Sequence, residues 1–140
     1  MKKIFIVFIL VWFGLIANSY SADFNKGSDA YQKGDYATAL KEWRPLAEQG
    51  SAAAQFNLGL MYENGYGTLI NYDLAFDFYL KASGQGNEFA KNSLNNMYEL
   101  RLGLLVNPKK TIEWYEKFAN AGVVEANTQL GYLFESGDRG

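Results

Sequence analysis

The chain has 140 residues, 49% apolar and 16% aromatic, which suits one domain with a buried core. It holds no cysteine and no histidine, which excludes disulfides, thiolate zinc sites, haem-attachment motifs, cysteine nucleophiles and histidine-based triads or general bases. Thirteen basic against 15 acidic residues, with no basic stripe, argue against nucleic acid as a partner.

The first element reads as an export signal. Lys2 and Lys3 precede a 14-residue uncharged run, Ile4 to Ala17, and then the small residues of "NSYSA". This is the layout of a cleaved secretory signal peptide. Cleavage after Ser21 places Ser19 and Ser21 at the two small-residue positions. Cleavage after Ser19 uses Ala17 and Ser19, and cleavage after Ala22 puts Tyr20 at a small-residue position. An uncleaved anchor needs about 20 apolar residues, and the run is shorter than that. No cysteine follows it, so a lipoprotein anchor is excluded. Loss of Lys2 and Lys3 leaves 11 basic against 15 acidic residues, a net charge of −4. The reading is residues 1–21 as signal, residues 22–140 as one domain, and a bacterial periplasmic or secreted protein with no membrane attachment after cleavage.

The remainder repeats itself. Gly50, Gly86 and Gly122 stand 36 apart, as do Ala54, Ala90 and Ala126, and Leu58, Leu94 and Leu130. The same spacing relates Tyr62, Tyr98 and Phe134, then Trp43, Tyr79 and Tyr115, then Asp35, Asn71 and Asn107. Such self-similarity signals stacked structural units. The units run about 24–50, 51–86, 87–122 and, in part, 123–140. The first is short, and joins its two helices through Gly34 and Asp35. In the second, Ser51 can cap a helix whose apolar face is Ala54, Leu58 and Met61, extended by Tyr62. That helix stops at Gly65, where a left-handed turn is expected. A second helix starts after Asn71 and carries Ala75, Phe78, Tyr79 and Ala82 to a close at Gly86. Asp35, Asn71 and Asn107 take the N-cap position of this second helix, with Pro108 next to the last of them. In the third unit Asn87 caps the first helix. Arg101 there replaces the glycine matching Gly65, so the turn is expected to shift, with Gly103 taking it. The fourth unit supplies a first helix, Ala126 to Glu135, without its partner. A truncated longer array, a helix that itself caps the stack, and an edge that pairs with another molecule all fit this.

The expected fold class is all-α, an α/α solenoid (superhelix) of stacked antiparallel helix pairs. The spacing A-x-x-x-L-G-x-x-Y-x-x-G-x-G, then A-x-x-x-Y-x-x-A and a closing glycine, resembles the Sel1-like repeat, a relative of the tetratricopeptide repeat. The matching residues are Ala54, Leu58, Gly59, Tyr62, Gly65, Gly67, Ala75, Tyr79, Ala82 and Gly86, and the resemblance covers about residues 24–140. In the third unit Asn95, Arg101 and Thr111 depart from it. The resemblance implies a scaffold for protein complexes. Some secreted relatives are disulfide-stapled, and this cysteine-free chain lacks that stabilisation.

The glycines of "LGLMYENGYG" (Leu58 to Gly67) do not make a phosphate loop. No Lys-Ser/Thr follows them and a helix precedes them. Gly59 is expected to let helices approach, and Gly65 and Gly67 to turn the chain. Glu63, Glu99 and Glu135 recur one per unit, spaced by stacked helices at roughly 9–10 Å, and read as solvated helix ends. Trp43, Tyr79 and Tyr115 share a face with small residues and read as core. Trp114, Tyr66 and Tyr72 fall off that series and are taken as candidate exposed binding aromatics.

First helices of such pairs usually line the concave surface. A stripe there, distinct from the core stripe, holds Asn57, Leu60 and Asn64, then Ser93, Asn96 and Leu100, then Gln129, Tyr132 and Ser136. None of the nine is charged. Amides and hydroxyls with scattered apolar anchors suit a protein or peptide partner. No catalytic constellation, cofactor or metal set is expected. The favoured function is a non-catalytic interaction scaffold of the bacterial envelope. The alternatives are an inhibitor or immunity protein against a secreted toxin or enzyme, and, disfavoured, a cell-wall hydrolase.

Overall fold

The structure, a computed structural model, describes residues 21–100, 102 and 111–136. The apolar run Ile4 to Ala17, Arg101, Gly103, Asn107 and Pro108 lie outside the described residues. Within them the chain is entirely helical: α1 Phe24–Gln32, α2 Tyr36–Glu48, α3 Ala52–Asn64, α4 Tyr72–Gly84, α5 Glu88–Glu99, α6 Thr111–Asn120 and α7 Val124–Ser136. The starts of α3, α5 and α7 are 36 residues apart, the spacing seen in the glycine series. No helix among the described residues is long and apolar enough to cross a membrane.

Local chemistry sets the helix starts. Asp35, Ser51, Asn71 and Asn87 each accept the backbone N–H three residues on, from Thr38, Ala54, Leu74 and Ala90, at 3.0–3.3 Å. Each such bond satisfies one of the donors that a helix start leaves free. The Thr38 hydroxyl, and then its amide, hold the Asp35 carboxyl below the usual carboxylate range. Asn71→Ala should therefore lower stability by about 1 kcal/mol, read as an earlier urea midpoint with an unchanged slope.

The helix ends are set by backbone conformation. Gly65 closes α3 at φ 72°, donating its N–H to the Met61 carbonyl. Gly50, Gly86 and Gly122 close successive pairs at φ 96°, 86° and 91°, a region that side chains other than glycine rarely enter. The third unit behaves differently. Here α5 ends on Leu100 at φ −78°, and the Leu102 amide reaches back to Met97.

Packing divides into two cores. One gathers Ala30, Ala39, Leu40, Trp43, Ala47, Ala54, Leu58 and Met61 from α1–α3. The other gathers residues of α4–α7, among them Phe76, Tyr79, Leu94, Met97, Trp114, Phe118 and Ala126. Tyr62 packs against both. Its ring stacks on Phe78 at 5.8 Å, and its hydroxyl accepts from Arg44 at 3.3 Å. The repeat alanines Ala54, Ala90 and Ala126 are all fully buried, so the helices close on their smallest side chains.

Two close approaches depend on missing side chains. A Cβ on Gly59 would lie 2.5 Å from ring atoms of Tyr79, and one on Gly27 would lie 2.5 Å from the Trp43 indole nitrogen. A polar pin adds to this. Buried Gln55 donates to the Ala47 carbonyl at 3.0 Å and accepts from Gln85 at 2.8 Å, tying α2, α3 and the end of α4 together.

Candidate functional site

The nine stripe residues lie on α3, α5 and α7, and the structure separates them into two rows. Asn57, Ser93 and Gln129 are half-buried. Ser93 shows why: its hydroxyl bonds to the buried Tyr79 hydroxyl on the preceding α4. Ser93 thus faces the seam between α4 and α5. Asn64, Asn96, Leu100 and Tyr132 are exposed, the last two at 63% and 62%. Leu60 is half-buried and packs against the core of α4–α7. The Asn64 side-chain amide donates to the Leu60 carbonyl at 2.9 Å, which leaves its oxygen for a partner. Ser136 closes α7, and its side chain lies outside the described residues. The open row is thus amide and apolar, and carries no charge.

Three aromatic expectations are corrected. Trp114 is 1% exposed. It packs on Phe76 and Phe118 at 5.7 and 5.6 Å, with the Lys117 ammonium 5.3 Å from its ring centre. Tyr66 folds back on the first unit, stacked on Tyr36 at 4.8 Å and edge-on to Tyr31 at 5.9 Å. Tyr72 is half-buried against the second core. None of them is an open stacking platform. Trp43, Tyr79 and Tyr115 are core, all at most 6% exposed.

The carboxylate series also splits. Glu99 and Glu135 are exposed. Glu63 is no simple solvated helix end, because it accepts the hydroxyl of Tyr79. Burial, and then the adjacent Glu63, push the Tyr79 hydroxyl far above its ordinary range. It therefore stays protonated and serves as a fixed donor. A tie between units joins Lys117 of α6 to Asp73 of α4 at 2.9 Å. These ionisable groups hold helices together and present no paired acid and base to a substrate.

Sequence reasoning missed three features of this surface. Phe89, at the start of α5, is 73% exposed and lies 6.0 Å from Phe56 of α3. Val124, at the start of α7, is 72% exposed. A cleft of about 410 Å³ opens between the end of α5 (Asn95, Tyr98, Glu99) and the turn into α7 (Gly122 to Glu125). Neither Phe89 nor Val124 has an apolar counterpart in every unit, so the repeat signal could not flag them.

The family model for the Sel1 repeat matches residues 52–87, 96–123 and 124–140. Among solved structures, a Sel1 repeat protein from Oxalobacter formigenes is similar to this chain, with 30% identity and a TM-score of 0.55. The match covers 82% of this chain and 47% of that one, so the chain spans about half the length of that relative. No curated protein matches the sequence. The first helix pair, α1 and α2, falls outside the matched residues, yet it packs as a unit like the others.

Proposed function

The chain belongs to the Sel1 repeat family, and from that premise we propose that it is a non-catalytic scaffold of the bacterial envelope that holds a protein or peptide partner on its first helices. Sel1 repeats in general mediate protein–protein interaction. The observation that carries the finer reading is the open row of Asn64, Asn96, Leu100 and Tyr132. It combines two amides with two large apolar side chains left in water. A partner that covers Leu100 and Tyr132 gains their burial, while Asn64 and Asn96 satisfy its backbone groups. Placement in the envelope rests on the N-terminal signal pattern.

The test uses a photo-cross-linking residue at Asn96 in cells, followed by binding of the captured envelope protein to purified variants. Leu100→Ala combined with Tyr132→Ala should weaken binding about tenfold to a hundredfold, as hot-spot truncations do, with helicity unchanged. Unchanged affinity for a partner cross-linked at this row would sink the reading. A captured enzyme whose activity falls on binding would assign the inhibitor role instead.

A further inference from the structure

The position occupied by Glu42 is aromatic in the later units, where Phe78 and Trp114 stand 36 and 72 residues on. Phe78 packs against the core of α1–α3 with its ring stacked on Tyr62, and Trp114 packs against Phe76 of α4, so each covers an apolar face with a ring. In the first unit this face is closed differently. Glu42 is 1% exposed, and residues 23–26 fold over it. Its Oε2 accepts the backbone N–H of Asp23 at 3.0 Å, and its Oε1 pairs with the Lys26 ammonium at 2.6 Å. A carboxylate buried this deeply is kept by positive partners and donors, not by water.

The first residues of the domain are therefore held on a negative charge. Cleavage after Ser21 leaves a new α-ammonium on Ala22, one residue from the nitrogen that Glu42 already holds. Cleavage after Ala22 places the ammonium on that nitrogen itself. A charged donor makes a stronger bond to a carboxylate than a neutral amide does. The surroundings sharpen the requirement. Asp23 is the N-cap of α1, bonding the amides of Asn25 and Lys26, and a bare positive charge beside a helix start opposes the helix dipole. Glu42 cancels that charge where it would do harm.

We propose that Glu42 is the acceptor for the α-ammonium created when the signal segment is removed, so that processing completes the N-terminal seal of the stack. This rests on the reading of residues 1–21 as a cleaved signal.

The test compares the chain beginning at Ala22 with a free and with an acetylated amino terminus, and repeats both with Glu42→Gln. The free form should melt about 4 °C above the acetylated form. In Glu42→Gln the difference should vanish or change sign. An NMR titration of the α-amino group in the unsubstituted chain gives a second reading, independent of whether Glu42→Gln folds. Its midpoint should lie above the roughly 7.7–8.0 of an ordinary α-amino group. Equal melting of the two unsubstituted forms, with an ordinary titration, overturns the proposal. The mass of the exported protein separates the two failures. A mass that retains residues 1–21 overturns the signal reading and the proposal together, whereas a processed mass with equal melting overturns the proposal alone.

Discussion

Trp114→Ala is expected to destabilise the protein by about 3–5 kcal/mol, a large share of what a domain of this size possesses. The indole is 1% exposed and sits among Phe76, Phe118 and the ammonium of Lys117. Its removal empties a space that three helix-borne side chains cannot refill. It also strips one of the two rings that lie under the Lys117 ammonium, the other being Phe76. Chemical denaturation followed by far-ultraviolet circular dichroism should show the midpoint falling steeply. A variant that kept its midpoint and lost only partner binding would return Trp114 to the binding surface.

The second large effect is expected at a residue with no side chain. Gly59→Ala places a methyl 2.5 Å from the Cδ1 and Cε1 atoms of Tyr79. That ring is fully buried and tethered at its hydroxyl by Glu63 and Ser93. It cannot swing aside without breaking the bonds that tie α4 to α3 and to α5. Overpacking of this kind costs about 2–3 kcal/mol, or a fall in melting temperature on the order of 10 °C. Adding Tyr79→Leu to Gly59→Ala should recover part of the loss, because the shorter side chain vacates the contact. A double-mutant cycle with no coupling would mean that the helices yield at Gly59 without cost.

What could be read in the residues was what the repeat multiplies. Ala54, Ala90 and Ala126 mark one buried position three times over, and Asp35, Ser51, Asn71 and Asn87 announce helix starts by their own chemistry. The fold class and the role of Gly59 follow from such positions. Trp114 was misplaced because its series is broken at the first member. Glu42 is polar there, so the column Glu42, Phe78, Trp114 does not look like a core column. Tyr66 went astray for a geometric reason. The loop after α3 lies over Tyr31 and Tyr36 of the preceding unit, a contact between units that spacing within one unit cannot express. Glu63 and Tyr79 are 16 residues apart. Their bond depends on how deeply the tyrosine hydroxyl is inserted, which no periodicity encodes. The exposure of the nine-residue stripe was half legible. Its uncharged character was plain, but the inward turn of Ser93 appears only once α4 is packed against α5.

Tyr62 is a partly buried residue that packs against both cores, and this has a temporal consequence. In a stack, each unit is stabilised by its immediate neighbours, so the two halves are coupled through the α3–α4 seam, where Tyr62, the Gln55–Gln85 bond and the Tyr79–Glu63 bond meet. Openings should then occur half by half, with α6 and α7 exchanging their amide hydrogens sooner than α2 and α3. A change that loosens the ring pair of Tyr62 and Phe78 should widen the gap between those two exchange rates more than it lowers the overall midpoint. The protein would then behave as two clocks joined at one seam.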